Sequence, residues 1–170
     1  MKRTWMPKIG LLLGLAWAAC RPTGPARVEA PIDGASGEIP FRMAGPQDVA
    51  ILVPVRLNGT GPYDFVLDTG ATLTCLHDEL ADSLGLREPA GMLGYGAGVG
   101  SGGSIRLVEI DSVAVGAAQA FDLTGCVLDL AQARAIGIEA DGLLGLNFLR
   151  AFRVELDFER DVLTLAPSGS

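Results

Sequence analysis

The sequence predicts an all-β domain, closed or nearly closed into a barrel, with one or two short helices. Its apolar runs are short and rich in Val, Ile and Leu, and clusters of Gly, Pro, Asn and Asp separate them. Helical spacing occurs only in short stretches. A chain of 170 residues, of which 49% are hydrophobic, suits one domain of ordinary size.

The first elements of the predicted domain are a β-hairpin and a short helix. Residues 49–57 and 63–67 are apolar runs, and the segment 58–62 between them holds the Asn, Gly and Pro of a turn. Residues 78–84 have helical spacing, and Gly85 stands where such a helix would end.

The rest of the domain is predicted to consist mostly of strands. The segment 91–103 is dense in glycine, which argues against a regular core element and favours a mobile or tightly turned loop. The turn residues 159–161 separate two alternating segments, so the chain closes with a hairpin. The other predicted elements are strands over 72–76, 104–115, 120–128, 152–158 and 162–165, and a short helix over 130–136.

Residues 1–19 have the pattern of a secretory signal peptide. Three cations precede the apolar run 9–19, which is too short to anchor the chain across a bilayer. Small residues precede Cys20, and this order resembles the bacterial lipobox, in which the cysteine becomes lipid-modified. Simple secretion after cleavage at 16–18 is the alternative. In both cases we expect an exported protein of a bacterium, either periplasmic or held at the membrane by a lipid on Cys20.

The composition divides the remaining chain into three parts. Residues 20–46 are dense in Pro, Gly, Ala and Ser, which predicts a flexible tether with at most an edge strand over 38–43. Residues 47–166 contain the predicted elements and form the domain. Residues 167–170 are a short tail.

Charge and composition argue against several classes of partner. The net charge of −7 disfavours nucleic acid, because phosphate binding needs clustered Lys and Arg. No lysine follows Lys8, so the chain lacks a phosphate-binding P-loop. Residues 98–103 have the glycine spacing of a dinucleotide site, but a strand-like run follows them instead of a helix. One histidine and dispersed cysteines make no ligand set, so we expect neither a metal nor a cofactor.

Asp68 is the candidate catalytic residue, because it comes directly after a run of apolar residues that a strand would bury. A buried carboxylate is costly unless it is hydrogen-bonded or shares a proton. Thr69 offers a hydroxyl, Gly70 lets amide N–H groups turn towards the acid, and Ala71 permits close approach of another backbone. These features suit a carboxylate at the floor of a cleft, and the alternative is an acid that caps a turn.

The sequence Asp-Thr-Gly-Ala at 68–71 resembles the active-site loop of retropepsins and pepsin-like aspartic proteases. The segment 141–149 resembles the apolar-apolar-Gly element of the same proteins, which crosses the active-site loop and leads into a short helix. The residues of that second-loop element are Leu143, Leu144 and Gly145. The resemblance extends over 49–166 and implies a retropepsin-like acid protease lobe, in which Asp141 has a structural role.

Aspartic proteases use two carboxylates that share a proton, one to activate water and the other to protonate the scissile carbonyl. The chain has a single Asp-Thr-Gly triplet, so the resemblance implies a homodimer in which two copies of Asp68 meet and Thr69 bonds across the axis. The predicted function is aspartic endopeptidase action on peptides or proteins. The alternatives are a catalytically silent module of the same fold at the cell envelope, and an enzyme whose second carboxylate comes from a different chain.

The glycine-rich segment lies where retropepsin-like chains have their flap, the loop that closes on a bound peptide and excludes water. An exposed linker loop is the alternative interpretation, because glycine density does not reveal a purpose. The flap candidates are Tyr95, Gly96 and Gly98.

Cys75 and Cys126 are the two cysteines of the predicted domain. In an exported protein they either form a disulfide or remain free core residues, and the sequence leaves both open. A cysteine-protease site of Cys75 and His77 is disfavoured, because no third group that would orient the histidine is identifiable.

Overall fold

The computed structural model describes residues 27–29, 37–89, 94–98 and 101–168. The strands in this part of the chain are β1 (Arg27–Glu29), β2 (Ile39–Pro40), β3 (Arg42–Ala44), β4 (Ala50–Leu57), β5 (Thr60–Leu67), β6 (Cys75–His77), β7 (Gly94–Gly98), β8 (Ser101–Val115), β9 (Ala118–Leu128), β10 (Gly142–Leu144), β11 (Phe152–Asp157) and β12 (Val162–Pro167). The helices are α1 (Asp78–Ser83), α2 (Ala131–Ala135) and α3 (Leu146–Leu149). Among the described residues, no helix has the length and apolar character needed to cross a membrane.

Six strands close into a barrel. Their order is β9-β6-β10-β5-β4-β8, and β8 pairs again with β9, which completes the ring. β1 adds to β9, β3 adds to β4, and β7 pairs with β8 beyond the ring. The predicted all-β fold, closed like a barrel and with short helices, is confirmed.

Alternation along β4 and β5 sorts side chains into two apolar clusters. Val53, Val55 and Phe65 are fully buried inside the barrel, where each contributes about 1.5–3 kcal/mol by leaving water. On the opposite face of the same strands, Leu52 packs in a smaller cluster with Ile138. This second cluster covers the outer side of the strand that leads to Asp68.

Turn residues set the bounds of the first hairpin and helix much as the sequence predicts. Asn58 and Gly59 join β4 to β5 with φ values of 49° and 78°, the left-handed conformation that a tight hairpin turn requires. Gly85, with φ of 60°, follows the end of α1. The closing hairpin of β11 and β12 is also present.

Part of the predicted tether belongs to the folded structure. β2 pairs with β12 to make a second sheet of order β11-β12-β2, and both Ile39 and Phe41 are buried. Arg160 donates to both carboxylate oxygens of Glu38 at 2.6 Å, and this hydrogen bonding raises the pKa of Arg160. Pairing therefore extends the fold to residues before 47, because neighbouring strands supply backbone hydrogen bonds that composition does not reveal.

The glycine-rich segment differs from the expected irregular loop where the structure describes it. Tyr95 lies opposite Ser104 and Gly98 lies opposite Ser101, so β7 and the first residues of β8 form a hairpin. Backbone pairing needs no side chain, which is why glycine density did not prevent a strand here.

Cys75 and Cys126 form a disulfide between the adjacent strands β6 and β9, with their Cα atoms 4.4 Å apart. This answers the question that the sequence left open. It also removes Cys75 as a nucleophile, because its sulfur carries no thiol.

Candidate active site

Asp68 lies directly after β5, half-buried, at the start of an exposed turn. Its Oδ1 accepts a hydrogen bond of 2.8 Å from the N–H of Gly70, and its own N–H donates to the carbonyl oxygen of Leu144 at 3.1 Å. The N–H of Ala71 donates to the Asp68 carbonyl oxygen at 3.3 Å. The turn thus fixes the backbone of Asp68 and one carboxylate oxygen, while the side chain remains partly open to solvent.

β10 lies between β5 and β6, immediately behind this turn. Leu143 is opposite Val66 in the parallel pairing with β5 and opposite Cys75 in the antiparallel pairing with β6. Leu144, which accepts the Asp68 N–H, is fully buried. The second-loop element therefore contacts the loop that carries Asp68, in the arrangement that the sequence resemblance implies.

Glycine is needed on either side of Leu143 and Leu144 because other parts of the chain lie too close for a side chain. A Cβ atom at Gly142 would overlap the carbonyl oxygen of Cys75 and the ring of Phe65. At Gly145 it would overlap the carbonyl oxygen of Leu73 and lie 2.9 Å from that of Ala71. The two glycines let the chain pass close beneath the loop.

The start of α3 binds the loop from the same side. The N–H of Leu146 donates to the carbonyl oxygen of Ala71 at 2.8 Å, and the N–H of Asn147 donates to that of Thr72 at 3.1 Å. These carbonyl groups bond to a helix end instead of a neighbouring strand. For this reason the strand predicted over 72–76 begins only at Cys75.

A buried polar network extends this attachment. Asn147 Oδ1 accepts hydrogen bonds of 2.8 Å from both the N–H and the hydroxyl of Thr74, and its Nδ2 donates to the carbonyl oxygen of Thr124 at 2.9 Å. The N–H of Gly145 donates to the Thr74 hydroxyl at 3.3 Å. Thr74 is fully buried, so these bonds satisfy groups that would otherwise be costly. The sequence alone predicts no role for Thr74, Asn147 or Thr124. Its one indication of a buried polar contact is that Thr74 and Asn147 are polar residues within apolar motifs.

β9 holds the far end of the loop. The N–H of Cys126 donates to the carbonyl oxygen of Thr74 at 3.0 Å, one residue from the disulfide that joins Cys126 to Cys75. The loop between Asp68 and β6 is thus attached to β10, α3 and β9.

Asp141 binds backbone on the strands beside the site. Its Oδ2 accepts the Asp64 N–H at 2.9 Å, its N–H donates to the Asp64 carbonyl oxygen at 2.8 Å, and its carbonyl oxygen accepts the His77 N–H at 2.8 Å. These contacts tie the entry of β10 to β5 and β6. They fit the structural role that the resemblance implies for Asp141.

The remaining candidates lie elsewhere. Tyr95, Gly96 and Gly98 are on β7, paired with β8, and Cys20 lies outside the described residues. The ring of His77 is buried, with Nδ1 3.1 Å from the carboxylate of Asp78 and Nε2 3.1 Å from the guanidinium of Arg134. Within the described ranges, no group of three or more His, Cys, Asp or Glu side chains is placed to hold a metal ion.

The fold and the Asp68 loop define a single acid-protease lobe, and comparison with protein families agrees. Residues 53–148 match the family described as aspartyl protease. The matched range includes Asp68 and the second-loop element. The chain belongs to this family. A comparison with curated proteins finds no match.

Solved structures resemble the chain in fold. A retropepsin-like aspartic protease from Rickettsia conorii is 24% identical, with a TM-score of 0.52, over 82% of this chain and 93% of that one. The retroviral protease-like domain of Ddi1 from Leishmania major is 17% identical, with a TM-score of 0.43, over 69% of this chain and 93% of that one. The likeness to the Rickettsia conorii protease confirms the retropepsin-like fold predicted from the sequence.

Proposed function

We propose that the chain is an aspartic endopeptidase that hydrolyses peptide bonds with the carboxylates of two Asp68 residues, one from each copy in a homodimer. The observation that carries the proposal is the position of Asp68, held by Gly70 and Leu144 and half-open to solvent. A carboxylate fixed in this way is oriented before substrate arrives, which is what general acid–base catalysis requires.

The pair of carboxylates divides the chemistry. Two like charges a few ångström apart do not both ionise, so the pair holds one proton between them. The ionised carboxylate takes a proton from the attacking water, and the protonated one donates to the carbonyl oxygen of the scissile bond. Thr69 is exposed beside Asp68, where its hydroxyl is available for a hydrogen bond across the two-fold axis.

The hairpin of β7 and β8 supports a role as the flap of this enzyme. It extends past the barrel and pairs at its outer side with no other strand of the described chain. A hairpin of this kind is able to move as a unit over a bound peptide and exclude water from the Asp68 pair. Tyr95, Gly96 and Gly98 lie on the strand that would contact the peptide.

Activity of the purified mature chain on a peptide library tests the proposal. We expect cleavage that pepstatin inhibits and that Asp68→Asn abolishes, because an amide cannot share the proton or activate water. Asp48→Asn is the matched control, since Asp48 is exposed and its φ of 56° is one that Asn adopts readily. Full activity in Asp68→Asn would refute the mechanism. A strictly monomeric, inactive wild-type chain would favour the catalytically silent binding module.

Export and lipid attachment at Cys20 complete the proposal. The apolar run and the small residues before Cys20 support them. Mass spectrometry of the mature N-terminus, with and without globomycin, distinguishes a lipid-modified Cys20 from simple secretion. An unprocessed N-terminus would contradict both.

A further inference from the structure

His77 is the single histidine of the chain, and its ring is buried between two charged side chains. Its Nδ1 lies 3.1 Å from the carboxylate of Asp78, the next residue, and its Nε2 lies 3.1 Å from the guanidinium of Arg134 on α2. The Asp78 side chain is mostly exposed, whereas Arg134 is half-buried. The proposed peptide hydrolysis uses none of these three residues, so it does not explain their arrangement.

The two contacts determine which ring nitrogen carries a proton. A guanidinium only donates hydrogen bonds, so Nε2 of His77 accepts from Arg134 through its lone pair. An ionised carboxylate only accepts, so Nδ1 carries the proton and donates to Asp78. The arrangement therefore requires a neutral ring. A second proton would go to Nε2, where an N–H would face an N–H and a positive ring would face a cation.

Other charged side chains occur on the elements packed against His77, but each has a backbone partner, an arginine or solvent. The first two of these carboxylates each accept a backbone N–H, the third pairs with an arginine of β8, and the fourth is exposed. These residues are Asp141 beside β10, Asp129 at the end of β9, Asp82 on α1 and Glu79 on α1. Proton uptake at Nε2 therefore acts first on Arg134.

The contact between His77 and Arg134 holds a helix that is otherwise weakly attached. None of the five residues of α2 is buried, and a helix of this length is not stable by itself. Ala133 is the residue of α2 that packs against the smaller apolar cluster, and it is only partly buried there. Loss of the Arg134 hydrogen bond would thus remove a substantial part of what holds α2 on the barrel.

We propose that His77 and Arg134 form a pH-sensitive switch, which holds α2 against the barrel while the ring is neutral and releases it when Nε2 takes up a proton. The proton comes from water, the hydrogen bond from Arg134 to Nε2 is lost, and the charged ring keeps its contact with Asp78. The helix is held above the pH at which the ring titrates and released below it. Histidine is the side chain whose charge ordinarily changes between about pH 5 and pH 8.

Nuclear magnetic resonance of the ¹⁵N-labelled mature chain, prepared without a histidine tag, tests the position of the proton. All imidazole signals then come from His77, because the chain has one histidine. At about pH 8 we expect a neutral ring that is protonated on Nδ1, with Nε2 at the chemical shift of an accepting nitrogen. A neutral ring protonated on Nε2 would overturn the proposal.

Hydrogen exchange of α2 tests its release. The N–H groups of Arg134, Gly137 and Ile138 donate to carbonyl oxygens of the same segment, so their exchange reports opening of the helix. Between about pH 8 and pH 5 we expect their protection factors, corrected for intrinsic exchange, to fall at least about tenfold, the effect of losing one hydrogen bond to a charged group. Protection in β8 should not change.

Arg134→Met is the decisive variant, and Arg106→Met is its matched control. Methionine keeps an apolar stem but donates no hydrogen bond, so in Arg134→Met α2 should be poorly protected at both pH values. Arg106 pairs with the exposed Asp82, so Arg106→Met should keep the pH dependence of wild type. His77→Gln keeps an acceptor for Arg134 but does not titrate, and its α2 should stay protected at both pH values.

Each outcome supports the switch or overturns it. Unchanged protection of α2 in wild type, although the ring has become protonated, would overturn it. A pH dependence that persists in Arg134→Met would assign the effect to another group and would also overturn it, even if His77→Gln fails to fold. Asp68→Asn should keep the switch, so a chain that cleaves no peptide would refute the proposed function alone.

Discussion

Removal of the Cys75–Cys126 disulfide should lower the free energy of unfolding by about 4 kcal/mol at 25 °C. The cross-link joins residues 51 positions apart, and the chain-entropy estimate for such a loop is a loss of about 14 cal/mol/K in the unfolded state. A domain has a total stability of about 5–15 kcal/mol, so this change is a large fraction of it. Urea unfolding followed by circular dichroism measures the difference.

The double variant Cys75→Ala/Cys126→Ala and the two single variants together test the physical reason. Each single substitution already opens the loop, so all three variants should lose a similar amount and the double should exceed the singles by about 1 kcal/mol at most. Additive losses would mean that the packing of each buried sulfur, rather than the cross-link, stabilises the fold. A loss below about 1 kcal/mol in the double variant would refute the loop-entropy argument.

Substitutions at three positions probe the elements behind Asp68, and urea unfolding with wild type as the reference measures their effect on stability. Gly142→Ala should cost about 3 kcal/mol or more, since its methyl group would overlap the carbonyl oxygen of Cys75, and a stability equal to wild type would contradict the close approach. Asn147→Ala should cost about 2–4 kcal/mol by leaving two buried donors unpaired, and Asn147→Asp, which keeps the accepting oxygen, should recover part of that loss. Asp141→Ala should cost about 1–2 kcal/mol through the lost bond to the Asp64 N–H, whereas Asp141→Asn should retain peptide cleavage. Loss of cleavage in a folded Asp141→Asn would contradict its structural role.

The sequence predicted those features that depend on neighbouring residues. The turn at Asn58 and Gly59 is chosen by the positive φ that these residues tolerate, so the strand ends of the first hairpin could be predicted to within three residues. The Asp-Thr-Gly turn is equally local, because the Gly70 N–H reaches Asp68 two residues away. These signals do not depend on the rest of the fold.

The features that the sequence did not predict depend on contacts between distant segments. Asn147 and Thr74 are 73 residues apart, and they meet only because β10 inserts between β5 and β6. The disulfide likewise depends on the register of β6 against β9, which barrel closure sets. Before residue 47 the sequence predicted at most an edge strand over 38–43 and could not predict its partner, since Ile39 is buried only when β12 is in place.

The attachments of the Asp68 loop explain how a lone lobe can keep a half-open carboxylate in place. Asp68 is half-buried, so water can solvate the exposed part of its carboxylate, while the hydrogen bonds of Asn147 and the disulfide at Cys75 hold the loop from behind. In the proposed homodimer, the two carboxylates would lose solvation only when two lobes associate, and a shared proton would offset that cost. Stability of the lobe and assembly of the site are therefore separate properties. Asp68→Asn should therefore abolish peptide cleavage and leave the free energy of unfolding of the lobe close to that of wild type.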